Sequence, residues 1–219
     1  MKESVMTTQS QRTYLPAAGR DGFLPLYDLI TRLMGADQAR RALLDRAQIR
    51  SGHRVLDVGC GTGSLLIQLK RLYPDTDVAG LDPDPKALAR ARRKAASAAV
   101  SIRLDQGFGD ELPYAEASFD RVLSSLMFHH IPADEKGKTV RAIRRVLKPG
   151  GEFHMLDFEG PEDGAPGFLA RLLHSSERLK DNSESRVLSL MTEAGFGNAK
   201  KVDRRAMLFG HIAYYRATA

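Results

Sequence analysis

Two rhythms of apolar and polar residues alternate along this chain. Short apolar runs at 54–58, 77–82, 100–105, 119–125 and 152–158 have the length and flanking turn residues of buried strands. Between them, apolar positions recur every three to four residues at 64–72, 85–97 and 134–147, which predicts amphipathic helices. Asp84-Pro85 marks the start of the second helix, a capping side chain followed by proline at the first helical position. Pro149-Gly150-Gly151 closes the third. Helical patterns at 24–34 and 37–48 precede the first strand, and a Gly/Pro/acid loop at 160–167 leads to two more at 167–180 and 182–194. The tail from Ala199 to Arg216 reads as two strands joined at Gly210. Residues 1–21 are polar and aperiodic and predict a flexible arm, leaving 22–219 as a single domain without repeats. Strands alternating with helices predict an α/β protein with a mostly parallel sheet covered on both faces. Right-handed crossovers then gather all parallel strand ends on one edge, where a ligand is expected.

The chemistry concentrates at the first of those ends, Arg54-Val55-Leu56-Asp57-Val58-Gly59-Cys60-Gly61-Thr62-Gly63. Three glycines in five residues let backbone approach a ligand closely, and the helix that opens at Ser64 turns its free N–H groups toward the same spot. A dinucleotide fingerprint would space its glycines G-x-G-x-x-G, whereas this loop reads Asp-x-Gly-x-Gly-x-Gly. Asp57 would repel a pyrophosphate and suits a ligand with positive charge at this end, which the ammonium and sulfonium of S-adenosylmethionine supply. Asp82, at the next strand end, follows Gly59 by 23 residues, close to the roughly 20-residue offset of a ribose-binding acid.

At these residues the chain resembles the class I S-adenosylmethionine-dependent methyltransferases, in the small-molecule branch of ubiquinone and menaquinone biosynthesis. The resemblance runs from Tyr27-Asp28 through the glycine loop, Asp82, Leu112-Pro113-Tyr114, Ser118-Phe119-Asp120, Leu147-Lys148-Pro149-Gly150-Gly151 and Glu193-Ala194-Gly195-Phe196, in order and over nearly the whole chain. It implies a Rossmann-like, doubly wound, mostly parallel seven-stranded sheet with an antiparallel C-terminal strand. It also implies S-adenosylmethionine as cofactor, bound by Tyr27, Asp57, Gly59, Cys60, Gly61, Gly63, Asp82, Pro83, Phe108, Gly109 and Ser124. The arm with Tyr14 is implied to close over that cofactor. One departure stands out: members of the family carry an acid after strand three that accepts the adenine amine, and here Phe108 falls on that position. Phe108 either stacks on the adenine, with Asp110 as the acceptor, or packs in the core.

Strand four ends in Met127-Phe128-His129-His130 and lacks the Asn/Asp-Pro-Pro-aromatic motif of enzymes that methylate nucleobase amines. Methyl transfer from a sulfonium is an in-line displacement that rests on alignment, and a base is needed only where the acceptor holds a proton. His129 and His130 are the candidate bases, supported by Asp157 at the neighbouring strand end. The alternative gives them structural work, one capping the loop and one packing on the cofactor. His154 reads as a core histidine, and His174 lies on a helix whose apolar stripe is either core or, as the resemblance implies, a border of the acceptor site. No His/Cys/carboxylate cluster has metal spacing, so no metal is expected.

Composition narrows the remaining classes. The 219 residues, 42% of them hydrophobic, suffice for one sizeable core. Cys60 is the single cysteine, and no signal-peptide or membrane-spanning stretch stands out, so a cytoplasmic protein without disulfides is expected. The net charge of +6 invites a nucleic-acid reading. The lysines and arginines, however, sit opposite apolar stripes on predicted helices and read as water-facing sides, so a nucleic-acid partner is not expected. The predicted function is methylation at O, C or N of a small, hydrophobic-compatible molecule by a monomer or homodimer. An RNA or protein methyltransferase, a nicotinamide-dependent oxidoreductase and a non-catalytic cofactor-binding protein are the alternatives.

Overall fold

The structure, a computed structural model, describes residues 35–160, 181–207 and 210–219. The predicted arm at 1–21 with Tyr14, the helix at 24–34 with Tyr27, and the helix at 167–180 with His174 lie outside the described residues. The described helices are α1 (Ala36–Arg46), α2 (Ser64–Leu72), α3 (Pro85–Ser97), α4 (Ala133–Val146) and α5 (Glu184–Glu193). The strands are β1 (Arg54–Val58), β2 (Asp77–Asp82), β3 (Arg103–Gln106), β4 (Phe119–Ser125), β5 (Leu147–Phe158), β6 (Gly197–Met207) and β7 (Gly210–Thr218).

They form one seven-stranded sheet in the order β3-β2-β1-β4-β5-β7-β6. The pairs β3–β2, β2–β1, β1–β4 and β4–β5 are parallel, while β7 runs antiparallel to both β5 and β6. Alternation along each strand divides the core between the two faces. Leu56, Val122, Phe153 and Met155 pack with Val140 and Ile143 of α4 and Leu190 of α5. Val55, Val78, Leu123 and Leu156 pack on the other face with Leu43 and Leu44 of α1, Leu66 of α2 and Leu88 of α3. Chain order reverses direction between β1 and β4, and at that switch the two strand ends part to leave a crevice.

Local chemistry sets the element boundaries. Asp84 accepts the Lys86 N–H at 2.8 Å and Pro85 opens α3, so that helix starts where the sequence places it. Two boundaries differ from expectation. Val100, read as strand, spends its N–H on Ala95 of α3 through a turn at Ala99 (φ +53°), and β3 begins only at Arg103. Pro149-Gly150-Gly151 ends α4 as expected but also lies inside β5, in a bulge where the β4–β5 register shifts between Phe119 and Arg121. Gly151 fits there because a Cβ would meet the Lys148 carbonyl at 2.9 Å.

Candidate functional site

The crevice holds a cavity lined by the ends of β1, β2 and β4, the loop after β3, and one side each of α1 and α4. On the β1 bank the backbone turns through Gly59 (φ +74°) and Gly61 (φ +51°) to Gly63 (φ +75°), the residue that precedes α2. The loop is stitched to β2: Gly59 and Cys60 both donate N–H to the Leu81 carbonyl, at 2.8 and 3.0 Å, and Gly61 donates to Asp82 Oδ2 at 2.8 Å. The other Asp82 oxygen accepts the Asp84 N–H at 2.9 Å. Burial pushes the Asp82 carboxyl above its ordinary value, against the pull of those two N–H groups. Lys94 of α3 braces the loop from outside, donating to Thr62 Oγ1 at 3.2 Å and Ser64 Oγ at 2.7 Å.

Asp57 lies at the centre of this bank and is 1% exposed. Its Oδ1 has no hydrogen-bond partner among the described residues, an uncommon state for a buried carboxylate. Burial drives its pKa from 3.8 up to about 8, with Arg40 of α1 opposing and Asp82 adding to the shift. Arg40 is itself buried, lines the cavity and pairs with Asp37 at 3.2 Å. Sequence reasoning missed it. The signal was present: Ala36, Ala39, Arg40, Leu43 and Leu44 form the buried stripe of α1, and a charge on such a stripe needs a partner.

Phe108, Gly109 and Asp110 follow β3 and line the cavity, and Phe108 is half-buried there and not part of the core. Gly109 is packed so closely that a Cβ would meet Thr139 Cγ2 at 3.0 Å. On the β4 bank, Leu126 holds a left-handed backbone (φ +57°) and its N–H donates to Leu156 at 2.8 Å. This turn lays Met127 on the glycine loop, with its Cγ 2.1 Å from where a Gly59 Cβ would stand. Ile131, Pro132, Glu135 and Thr139 complete the wall and were not predicted.

Four predicted residues stand elsewhere. Ser124, expected at the cofactor, is fully buried off the cavity, and Ser125 lines it instead. Successive strand residues face opposite sides, and the like pairs Val122-Leu123 and Ser124-Ser125 of β4 gave no alternation to choose between the two serines. Gly63 sits one step behind the lining, packed 3.0 Å from Ala91 Cβ as judged from an added Cβ. Asp157 and His129 form a pair behind His130.

That pair is well defined. Phe128–His130 is a single 3₁₀ turn, and Asp157, 0% exposed, accepts His129 Nδ1 at 2.5 Å. The carboxylate also accepts the N–H groups of Phe128 at 2.6 Å, Phe158 at 2.7 Å and His129 at 3.3 Å. Burial pushes its pKa up, but the His129 imidazole and these bonds outweigh it and hold the carboxyl below its ordinary value. The His129 ring leans on the His130 ring, centroids 4.0 Å apart, and only His130 of the two lines the cavity. The Asp157-bound imidazole and the cavity imidazole are therefore different residues. His154 pairs with Glu152 at 3.1 Å inside the core, pushed down to about 4 by burial, and is remote from this chemistry.

The bank from Asp57 to Asp110 fits the cofactor that the sequence implies. An unpartnered buried carboxylate matches an ammonium, Arg40 matches an amino-acid carboxylate, and glycine backbone leaves room for close approach. Comparison with known proteins agrees. Residues 55–151 match the family described as methyltransferase domain. The chain is 39% identical over 151 residues to demethylmenaquinone methyltransferase of Deinococcus radiodurans, covering 68% of this chain and 62% of that enzyme. It is 33% identical to the ubiquinone/menaquinone biosynthesis C-methyltransferase of Pseudomonas paraeruginosa, over 87% of this chain and 83% of that one. Among solved structures, a SAM-dependent methyltransferase from Aquifex aeolicus superposes with a TM-score of 0.70 at 19% identity, covering 91% of this chain and 98% of that one.

Proposed function

The chain belongs to the S-adenosylmethionine-dependent methyltransferases of the quinone-biosynthesis type, and we propose that it methylates O, C or N of a small, hydrophobic-compatible molecule held beside His130. The observation that carries the reading is Asp57, a buried carboxylate on the wall of a glycine-lined cavity with one oxygen unpartnered among the described residues. The cofactor, when bound, supplies a methyl group on a positively charged sulfur.

The chain's own residues then divide the work. Asp57 receives the ammonium of the methionine portion, and Arg40 its carboxylate. Asp82 has lone pairs left on both oxygens for ribose hydroxyls, and its two backbone bonds fix where those lone pairs aim. Phe108 offers a face to the adenine, a stacking contact of about 1 kcal/mol, with Asp110 beside it as acceptor. Across the crevice, His130 takes the proton of an acidic acceptor, a general-base contribution of about 10²–10⁴-fold. His129, held by charged Asp157, backs the His130 ring and fixes its place. Met127, Ile131 and Pro132 give the acceptor an apolar wall.

We further read residues 22–219 as one domain and place it in the cytoplasm, on its single cysteine. No helix among the described residues is long and apolar enough to cross a membrane. Release of S-adenosylhomocysteine in the presence of a panel of phenols, activated carbon acids and amines tests the proposal. Release with one acceptor class and none with RNA or protein supports it. Steeply salt-dependent RNA binding with RNA methylation would replace it with the nucleic-acid reading.

A further inference from the structure

The turn that carries His130 is gripped from two sides. Asp157 holds it from β5, as described above. From α4, Lys136 reaches over it: this lysine is 1% exposed, and its ammonium stands 5.1 Å from the centroid of the Phe128 ring. The same ammonium donates to the Asp181 carbonyl at 3.1 Å and to Asn182 Oδ1 at 2.8 Å. Asn182, also 1% exposed, passes the connection on. Its Nδ2 donates to the Phe158 carbonyl at 2.9 Å, and its own carbonyl accepts the Gly160 N–H at 3.0 Å. The Phe158 ring in turn meets His129 edge-on, centroids 5.2 Å apart. One buried cation thus joins the start of α4, the end of β5, the approach to α5 and the histidine turn.

We propose that Lys136 is a positioning residue for the cavity base, fixing the Phe128–His130 turn so that the two imidazoles stay stacked and His130 faces the cavity. The proposal rests on the reading of His130 given above. Burying an ammonium is costly, and an apolar side chain of similar length would fill the same space at lower desolvation cost. What an apolar residue lacks is the simultaneous hold on Phe128, Asp181 and Asn182. The groups facing the ammonium are Asp157 from β5, and Asp181 and Arg186 from the approach to and first turn of α5. Burial lowers the pKa of Lys136 to about 8, Asp157 and Asp181 counteract this, and Arg186 adds to it. The grip therefore weakens as pH rises past about 8.

Histidine side-chain NMR on the full chain tests this without any acceptor, with resonances assigned through His129→Gln and His130→Gln. Lys136→Met should lose the cross-peaks between the His129 and His130 rings. Lys136→Arg should restore them, and in the wild type the cross-peaks should fade above about pH 8. Asn182→Ala, which cuts only the amide partner, should weaken them in part and serves if Lys136→Met fails to fold. Calorimetry should find S-adenosylmethionine affinity within about twofold in every variant, because the β1 bank is untouched. Unchanged cross-peaks in Lys136→Met and Asn182→Ala would overturn the proposal while leaving the cofactor reading intact. A wild type that fails to bind the cofactor would instead defeat that reading, and the ring cross-peaks would still decide the role of Lys136.

Discussion

Asp57 is a group whose removal should make the empty fold stronger and the working protein weaker. In the unfolded chain its carboxyl titrates near 3.8; in the fold it titrates near 8. Between those values the folded state binds the extra proton, so apo stability falls as pH rises through the window. From pH 5 to pH 8 that is three pH units at about 1.4 kcal/mol each, or about 4 kcal/mol, after which the loss is complete. Asp57→Asn has no charge to bury and escapes this loss. Thermal unfolding of the two apo proteins at pH 5 and pH 9 should therefore diverge, the variant gaining about 8–16 °C on the wild type between the two. Taking the difference between the proteins removes the titrating groups that do not feel Asp57 from the comparison. With S-adenosylmethionine present the order should reverse: a charge-assisted bond worth about 1.5–3 kcal/mol is lost, and calorimetry should read roughly 10- to 150-fold weaker binding. Unfolding profiles that stay parallel across pH would refute the burial argument. Affinity unchanged in Asp57→Asn would refute its place at the ammonium.

Other outcomes follow from the same geometry. Asp82→Ala should weaken cofactor binding by tenfold or more and also cost about 1–3 kcal/mol in urea unfolding, because the N–H groups of Gly61 and Asp84 lose their acceptor. Gly59→Ala should destabilise by about 1–3 kcal/mol more than Gly61→Ala, since its Cβ collides with Met127 whereas none of the described residues lies within 4 Å at Gly61; equal midpoints in a denaturant series would contradict the packing. His130→Ala should lower turnover while cofactor affinity holds. His129→Ala should cost the greater stability at pH 7, about 1–3 kcal/mol, by stripping buried Asp157 of its imidazole. That gap should close as pH falls through the depressed carboxyl pKa, where the wild type loses the same interaction; a gap constant down to pH 2 would argue against the pairing.

What could be read from the sequence was whatever local rules dictate. Asp84 and Pro85 announce α3 because a cap and a fixed φ act within a few residues. Asp57 and Asp82 were legible because strand ends of a parallel sheet share one edge, so position along a strand converts to position in space. The phase of β4 was not legible: the like pairs Val122-Leu123 and Ser124-Ser125 show no alternation, and Ser124 was chosen where Ser125 faces the cavity. Pro149-Gly150-Gly151 carries two meanings, helix stop and bulge, and the second depends on register with β4. Arg40, Thr139 and the bridge from Lys136 to Asn182 depend on how helices seat across the sheet, which spacing along the chain does not encode.

The cavity's two banks come from separate stretches of chain. Apart from Arg40, the described cofactor side is carried by residues 57–110, secured by the shared Leu81 carbonyl and by Asp82, whereas the facing side is carried by residues 125–139. Under the proposed roles, a graft of the second stretch that keeps Met127 on the glycine loop and Thr139 on Gly109 should change acceptor choice while the nucleoside side stays in place. Such modularity lets one scaffold diversify its chemistry by swapping fewer than twenty consecutive residues.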